Sequence, residues 1–156
     1  MVEGVEGLIG KTPLLRIQSL SRLLGVDVLG KCEFTNPFGS VKDRVSLMIV
    51  NEAERQGLLA PRPRRRASAR AGSAAATRTA TRDTIFEGTS GSTGISLAGI
   101  ASARGYDAHI VMSDDVSQDK VNLLTALGAT VERGASSKSS PIFLSFSKLE
   151  PITIAQ

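Results

Sequence analysis

The chain has 156 residues, 41% hydrophobic and 4% aromatic, with no Trp and one Tyr, which suits a single domain with an aliphatic core of the α/β kind. Its one cysteine, Cys32, excludes an internal disulfide and suits a reducing, intracellular compartment. Its one histidine, His109, excludes a His-pair site, so no metal is expected. The net charge of +4 is unevenly spread: Ala60 to Arg82 holds seven arginines and no acid, and subtracting that +7 leaves the rest at −3. Nucleic acid is therefore not expected as a partner, and no apolar run approaches membrane-spanning length. The start, MVEGVEG, carries two glutamates and no arginine, so no leader is expected; the cytoplasm is the expected location, with the mitochondrion as the alternative.

In chain order, Ser19 to Gly25 reads as a short helix with a Ser cap and a Gly stop. Val26 to Phe34 reads as a strand, and NPFGS (Asn36 to Ser40) as a turn. Val41, Val45, Met48, Ile49 and Ala53 then recur at helical spacing up to Gly57. From Ala60 to Arg82 only Arg, Ala, Ser, Thr, Pro and Gly occur; such a segment buries too little apolar surface to offset ordering and is expected to be disordered. Regular patterning resumes with a strand at Thr84–Glu87, a small-residue helix at Ile95–Arg104 and a strand at Tyr106–Met112. A helix from a Ser117 cap to Gly128, with Val121, Leu124 and Leu127 on one face, leads to a strand from Ala129. This alternation predicts a parallel sheet flanked by helices over 8–133, interrupted by the insert at 60–82. After Arg133 the pattern lapses, and 134–156 reads as a divergent tail without a core role.

Two segments carry chemistry. Glu87 to Gly94 (EGTSGSTG) joins a strand to a helix with glycines at 88, 91 and 94. Its backbone N–H groups converge at a helix N-terminus, and Thr89, Ser90, Ser92 and Thr93 add hydroxyls, so it can bind a carboxylate or phosphate. No Gly-Lys-Ser/Thr follows and the glycine spacing is not that of a dinucleotide fingerprint; a plain loop entering a helix is the simpler alternative. Lys42 follows the Asn36–Ser40 turn at a helix start, where the helix dipole opposes a cation and favours the neutral, nucleophilic amine; the alternative is a solvated lysine. Taken together, a reactive amine and an anion loop suit a carbonyl cofactor holding an amino acid, and pyridoxal phosphate fits better than a hydrolase triad.

The segments IGKTPLLRI, GKCEFTNPFGSVKDRV, EGTSGSTGISLA and SQDKVNLLTALGATVE resemble the cysteine synthase (O-acetylserine sulfhydrylase) family of fold-type II pyridoxal-phosphate enzymes, over most of 8–132 outside the insert. The resemblance implies that Lys42 binds the cofactor and then acts as acid and base at the substrate Cα. It implies that Thr89, Ser90, Gly91, Ser92 and Thr93 grip the substrate carboxylate. The implied reaction replaces the acetate of O-acetylserine with sulfide to give cysteine, and the complete family member is expected to be a homodimer. Cystathionine β-synthase and Ser/Thr dehydratases share the lysine motif and stay open, as does a non-catalytic binding fragment. The family usually has Asn, contacting the cofactor ring oxygen, where this chain has Ser92; Lys11 and Ser113 replace a commoner Asn and Pro. The family's Gly/Thr-rich phosphate loop does not follow Arg133, so this chain is expected to be inactive as written, with apolar faces of the sheet left uncovered.

Overall fold

A computed structural model describes residues 1–60, 83–89, 91–134 and 153–155, the last in backbone only. The expected insert and tail therefore lie outside the described residues, apart from Ala60, Gly134 and Thr153–Ala155, and so does Ser90.

The N-terminal part forms β1 (Leu14–Arg16), α1 (Gln18–Leu24) and β2 (Leu29–Lys31), with β1 and β2 pairing antiparallel, Leu15 opposite Gly30. Gly25 stops α1 in the left-handed conformation (φ 70°), as its position predicts. The expected Ser19 cap is not used: the helix starts at Gln18 behind Ile17 with no side-chain cap. Ser21 supplies the local tie instead, its buried Oγ accepting the Val28 N–H at 3.0 Å and turning the chain into β2.

A 3-10 turn (Glu33–Thr35) leads to α2 (Lys42–Arg55), and then come β3 (Thr84–Gly88), α3 (Ser92–Arg104), β4 (Asp107–Ser113), α4 (Gln118–Ala126) and β5 (Thr130–Gly134). β3, β4 and β5 are parallel neighbours, as the alternating pattern predicts. The right-handed rule for such crossovers puts α3 and α4 on one face, where they touch each other and the sheet. One feature was not expected: Thr153–Ala155, in the tail, forms β6, an antiparallel edge strand beside β3 with Ile154 opposite Ile85. A tail needs only backbone hydrogen bonds to join a free edge, which hydrophobic periodicity does not reveal.

The core lies between the helices and the sheet: Val50, Leu59, Ile85, Leu97, Ile100, Ile110 and Leu124 are each at most 1% exposed. Each such aliphatic side chain contributes roughly 1.5–3 kcal/mol by leaving water. α3 is the central helix, buried from Ser96 through Ala101, and its small residues let α2 come close. A Cβ on Gly99 would sit 2.0 Å from the Phe38 ring, so the turn before α2 packs directly on α3. At the far end, Arg104 of α3 bonds Glu6 (3.1 Å), Glu54 (2.7 Å) and Asn51 (2.7 Å), joining the N-terminal segment and α2 to α3.

The α2 stripe differs from the one expected. Val41, Val45 and Met48 are 46%, 46% and 68% exposed, while Asp43, Ser46, Val50 and Ala53 are buried. The packing of α2 on α3 selects its narrow, small-residue side, and the wider apolar side faces out. Leu14, Leu15 and Leu29 of β1 and β2 are also more than half exposed among the described residues.

The ends of the insert meet: the Ala60 N–H donates to Asp83 Oδ2 at 2.8 Å. Deleting 61–82 and joining Ala60 to Asp83 through two glycines should therefore leave the urea-unfolding midpoint unchanged or higher. A loss of more than about 1 kcal/mol would show that the segment contributes to the fold.

Candidate active site

The site is built on the Asn36–Ser40 turn. Asn36 is 4% exposed. Its Oδ1 accepts the Gly10 N–H at 2.8 Å, and its Nδ2 lies within hydrogen-bond reach of the Glu33 carbonyl (2.8 Å), Glu33 Oε2 (3.0 Å) and the Ser40 carbonyl (3.1 Å). One amide thus holds the turn closed and pins the N-terminal segment to it. Gly39 takes φ 83°, a left-handed value that an L side chain resists, which is why glycine stands there. Ser40 Oγ accepts the Lys42 N–H at 3.1 Å and begins the helix.

The three residues after Val41 face three ways, as successive helix positions must. Lys42, the first residue of α2, is exposed, and its amine has no hydrogen bond or ion pair among the described residues. Asp43 is fully buried; its Oδ2 accepts the Phe38 N–H at 2.7 Å and its Oδ1 the Ser96 hydroxyl at 2.6 Å. Arg44 reaches back to Glu33 through Nε (2.9 Å) and Nη2 (3.0 Å), with Thr12 Oγ1 donating to the same carboxylate at 2.8 Å. The Arg44 guanidinium, with Thr12 and Asn36, lowers the Glu33 carboxyl to a pKa of about 2.

The second element is the loop from β3 into α3. Thr89 is held by its N–H to the Val111 carbonyl (2.9 Å), and its Oγ1 accepts the Gly91 N–H (3.3 Å). Gly91 is the N-cap of α3, Ser92 is its exposed first residue and Thr93 is half-buried. A Cβ on Gly91 would meet nothing within 4 Å among the described residues, whereas one on Gly94 would lie 2.8 Å from Thr89 Cγ2. Glycine at 94 therefore lets the loop fold onto the helix, and among the described residues no side chain caps the start of α3. Just before the loop, burial raises the Glu87 carboxyl to a pKa of about 7.

These two elements are joined. Ser96 Oγ lies 2.6 Å from Asp43 Oδ1 and 3.0 Å from the Ser92 carbonyl, so the first turns of α2 and α3 meet. Of the residues singled out in the sequence, Lys42, Thr89, Gly91, Ser92 and Thr93 lie in these two turns. Asp43 and Ser96 were missed as the link. A signal for Asp43 existed: positions 43, 46, 50 and 53 repeat at three- and four-residue steps, which places an acid in the buried stripe.

The fold and these loops define an α/β unit of the class that places its chemistry where loops leave the carboxyl ends of parallel strands. More particularly, the chain belongs to the pyridoxal-phosphate dependent enzyme family, whose model matches residues 5–141. It is 49% identical over 134 residues to cysteine synthase 2 of Emericella nidulans, covering 85% of this chain and 27% of that protein. It is 43% identical over 127 residues to cystathionine beta-synthase of Rattus norvegicus, covering 80% of this chain and 19% of that one. Among solved structures, O-ureido-L-serine synthase superposes with a TM-score of 0.75 at 34% identity, covering 94% of this chain and 40% of that chain. The chain thus spans well under half the length of these relatives.

Two of the shifted carboxyls, Glu33 and Glu87, predict how stability varies with pH. Glu33 is depressed, so its contribution is full above its ordinary value of 4.5 and is lost as pH falls toward about 2. Glu87 is raised, so folding loses stability as pH climbs from 4.5 to about 7. Glu33→Gln should flatten the acid limb of a urea-midpoint profile. Glu87→Gln should raise stability at pH 8 by on the order of 1 kcal/mol, a value reduced because water reaches the half-buried side chain, and should change nothing at pH 4. Profiles parallel to wild type would contradict both assignments.

Proposed function

We propose that this chain is the lysine-bearing part of a cysteine synthase, which replaces the acetate of O-acetylserine with sulfide. The observation that carries this reading is the exposed Lys42 amine at the start of α2, unpaired among the described residues and next to Asp43, whose carboxylate accepts the Ser96 hydroxyl of α3. A primary amine on one helix and, on the helix joined to it, a first turn with no side-chain cap among the described residues fit a group with one aldehyde and a substrate with one carboxylate.

Pyridoxal phosphate, when bound, supplies the electron sink that makes the substrate Cα acidic. Lys42 Nζ would hold its aldehyde carbon and would serve as acid and base for the proton at the substrate Cα. Thr89, Gly91, Ser92 and Thr93, with Ser90 from outside the described residues, would bind the α-carboxylate through backbone N–H groups and hydroxyls. Ser92 would also sit beside the cofactor ring oxygen, with one hydroxyl donor where an Asn amide offers two.

The complete protein would act as a homodimer, which the exposed apolar faces of β1, β2 and α2 support. No described helix is long and apolar enough to cross a membrane. The cytoplasm is the location we favour, since the free Cys32 suits a reducing compartment. Comparable identity to cystathionine beta-synthase keeps serine with homocysteine as the rival substrates.

Reduction of the chain with borohydride at excess pyridoxal phosphate should leave phosphopyridoxyl label on the Lys42 peptide, and Lys42→Ala should abolish it. In the complete protein the same substitution should cut turnover of O-acetylserine and sulfide by about 10²–10⁴-fold. Label spread evenly over Lys11, Lys31 and Lys42 would sink the reading. Faster turnover of serine with homocysteine would move the assignment to the rival reaction.

A further inference from the structure

Asp43 has an environment that the proposed reaction does not by itself require. It is fully buried, and among the described residues it has no ion pair. An unpaired buried carboxylate is costly unless its oxygens are fully hydrogen-bonded, and here each oxygen has one short bond to a different element. Oδ2 accepts the Phe38 N–H from the turn before Lys42, and Oδ1 accepts the Ser96 hydroxyl from α3. The position, second in α2, also places the charge where the helix dipole favours it.

These contacts converge on the geometry of the neighbouring lysine. Phe38 is fixed twice, by its N–H on Asp43 and by its ring against Gly99, so the turn has little freedom to slide along α3. Ser96 is itself one turn into α3, within 3.0 Å of the carbonyl of Ser92, the residue that opens the helix beside the anion loop. A displacement at either end would change the distance between the amine and the carboxylate-binding donors, and small misplacements of reacting groups cost large factors in rate.

We infer that Asp43 is a positioning residue: through Phe38 and Ser96 its carboxylate fixes the Lys42 turn against the first turn of α3. The purpose assigned to this tie rests on the proposed role of Lys42, while the tie itself does not. The role is one of placement and not of charge. Asparagine at 43 keeps an oxygen for the Phe38 N–H, and its amide can donate to Ser96 Oγ, which then donates to the Ser92 carbonyl.

The test uses the 156-residue chain as wild type, Asp43→Ala, Asp43→Asn and Ser96→Ala, with thermal unfolding to confirm that each folds. One readout is amide exchange at Phe38, which needs no cofactor. The other is the share of borohydride-trapped pyridoxal phosphate on Lys42 relative to Lys31. Asp43→Ala and Ser96→Ala should speed Phe38 exchange and lower the Lys42 share about tenfold, and Asp43→Asn should stay within about twofold of wild type. If Asp43→Ala does not fold, Ser96→Ala carries the test alone. An unchanged Lys42 share in folded Ser96→Ala or Asp43→Ala would overturn the inference while leaving the proposed function standing. Asp43→Asn as damaging as Asp43→Ala would overturn it by assigning the role to charge. A wild type with no preference for Lys42, but with Phe38 exchange that still responds to Ser96→Ala, would remove the proposed function and uphold the tie.

Discussion

A carboxylate taken out of water demands hydrogen bonds wherever it goes, and at Asp43 that demand organises the molecule around it. Among the described residues, the donors that satisfy it come from the turn before α2 and from the flank of α3. The two helices are therefore held together at the ends that carry Lys42 and the loop from β3. The rest of the α2–α3 interface follows. Small residues on α3 allow the close approach, Gly99 makes room for the Phe38 ring, and Arg104 closes the opposite end with Glu54 and Asn51.

The same logic explains why three unlike residues stand in a row. A helix turns by about 100° per residue, so Lys42, Asp43 and Arg44 cannot share a face. The amine points to solvent, the carboxylate into the interface, and the guanidinium toward Glu33 and Thr12. Each of the two charges that follow holds the lysine's turn from a different side. Asn36 completes the clamp by tying the turn to Gly10, far back in the chain.

Much of this was legible in the sequence, because short-range rules suffice for it. The glycine stop at Gly25 and the parallel succession of β3, β4 and β5 both follow from local patterning. What escaped was decided by contacts between distant residues. The stripe of Val41, Val45 and Met48 is the more apolar side of α2, yet it faces out, since the buried side was chosen by fit to α3. Ser19 looked like a cap, but Ile17 occupies that place and Ser21 does the bonding. For the site, the lysine and most of the loop could be named from residue order, whereas Ser96 has no local signal, since its value lies in a partner 53 positions away.

The meeting of Ala60 and Asp83 has a further consequence. A fold whose backbone leaves and re-enters at neighbouring points treats that place as an open port: material can be gained or lost there without disturbing the register of α2 on α3. The port lies at the end of α2 away from Lys42, so changes there are separated from the amine by the length of the helix. Lineages could vary this junction freely while the Asp43 joint stays under constraint, and a circularly permuted chain with new termini at this junction would inherit the same separation.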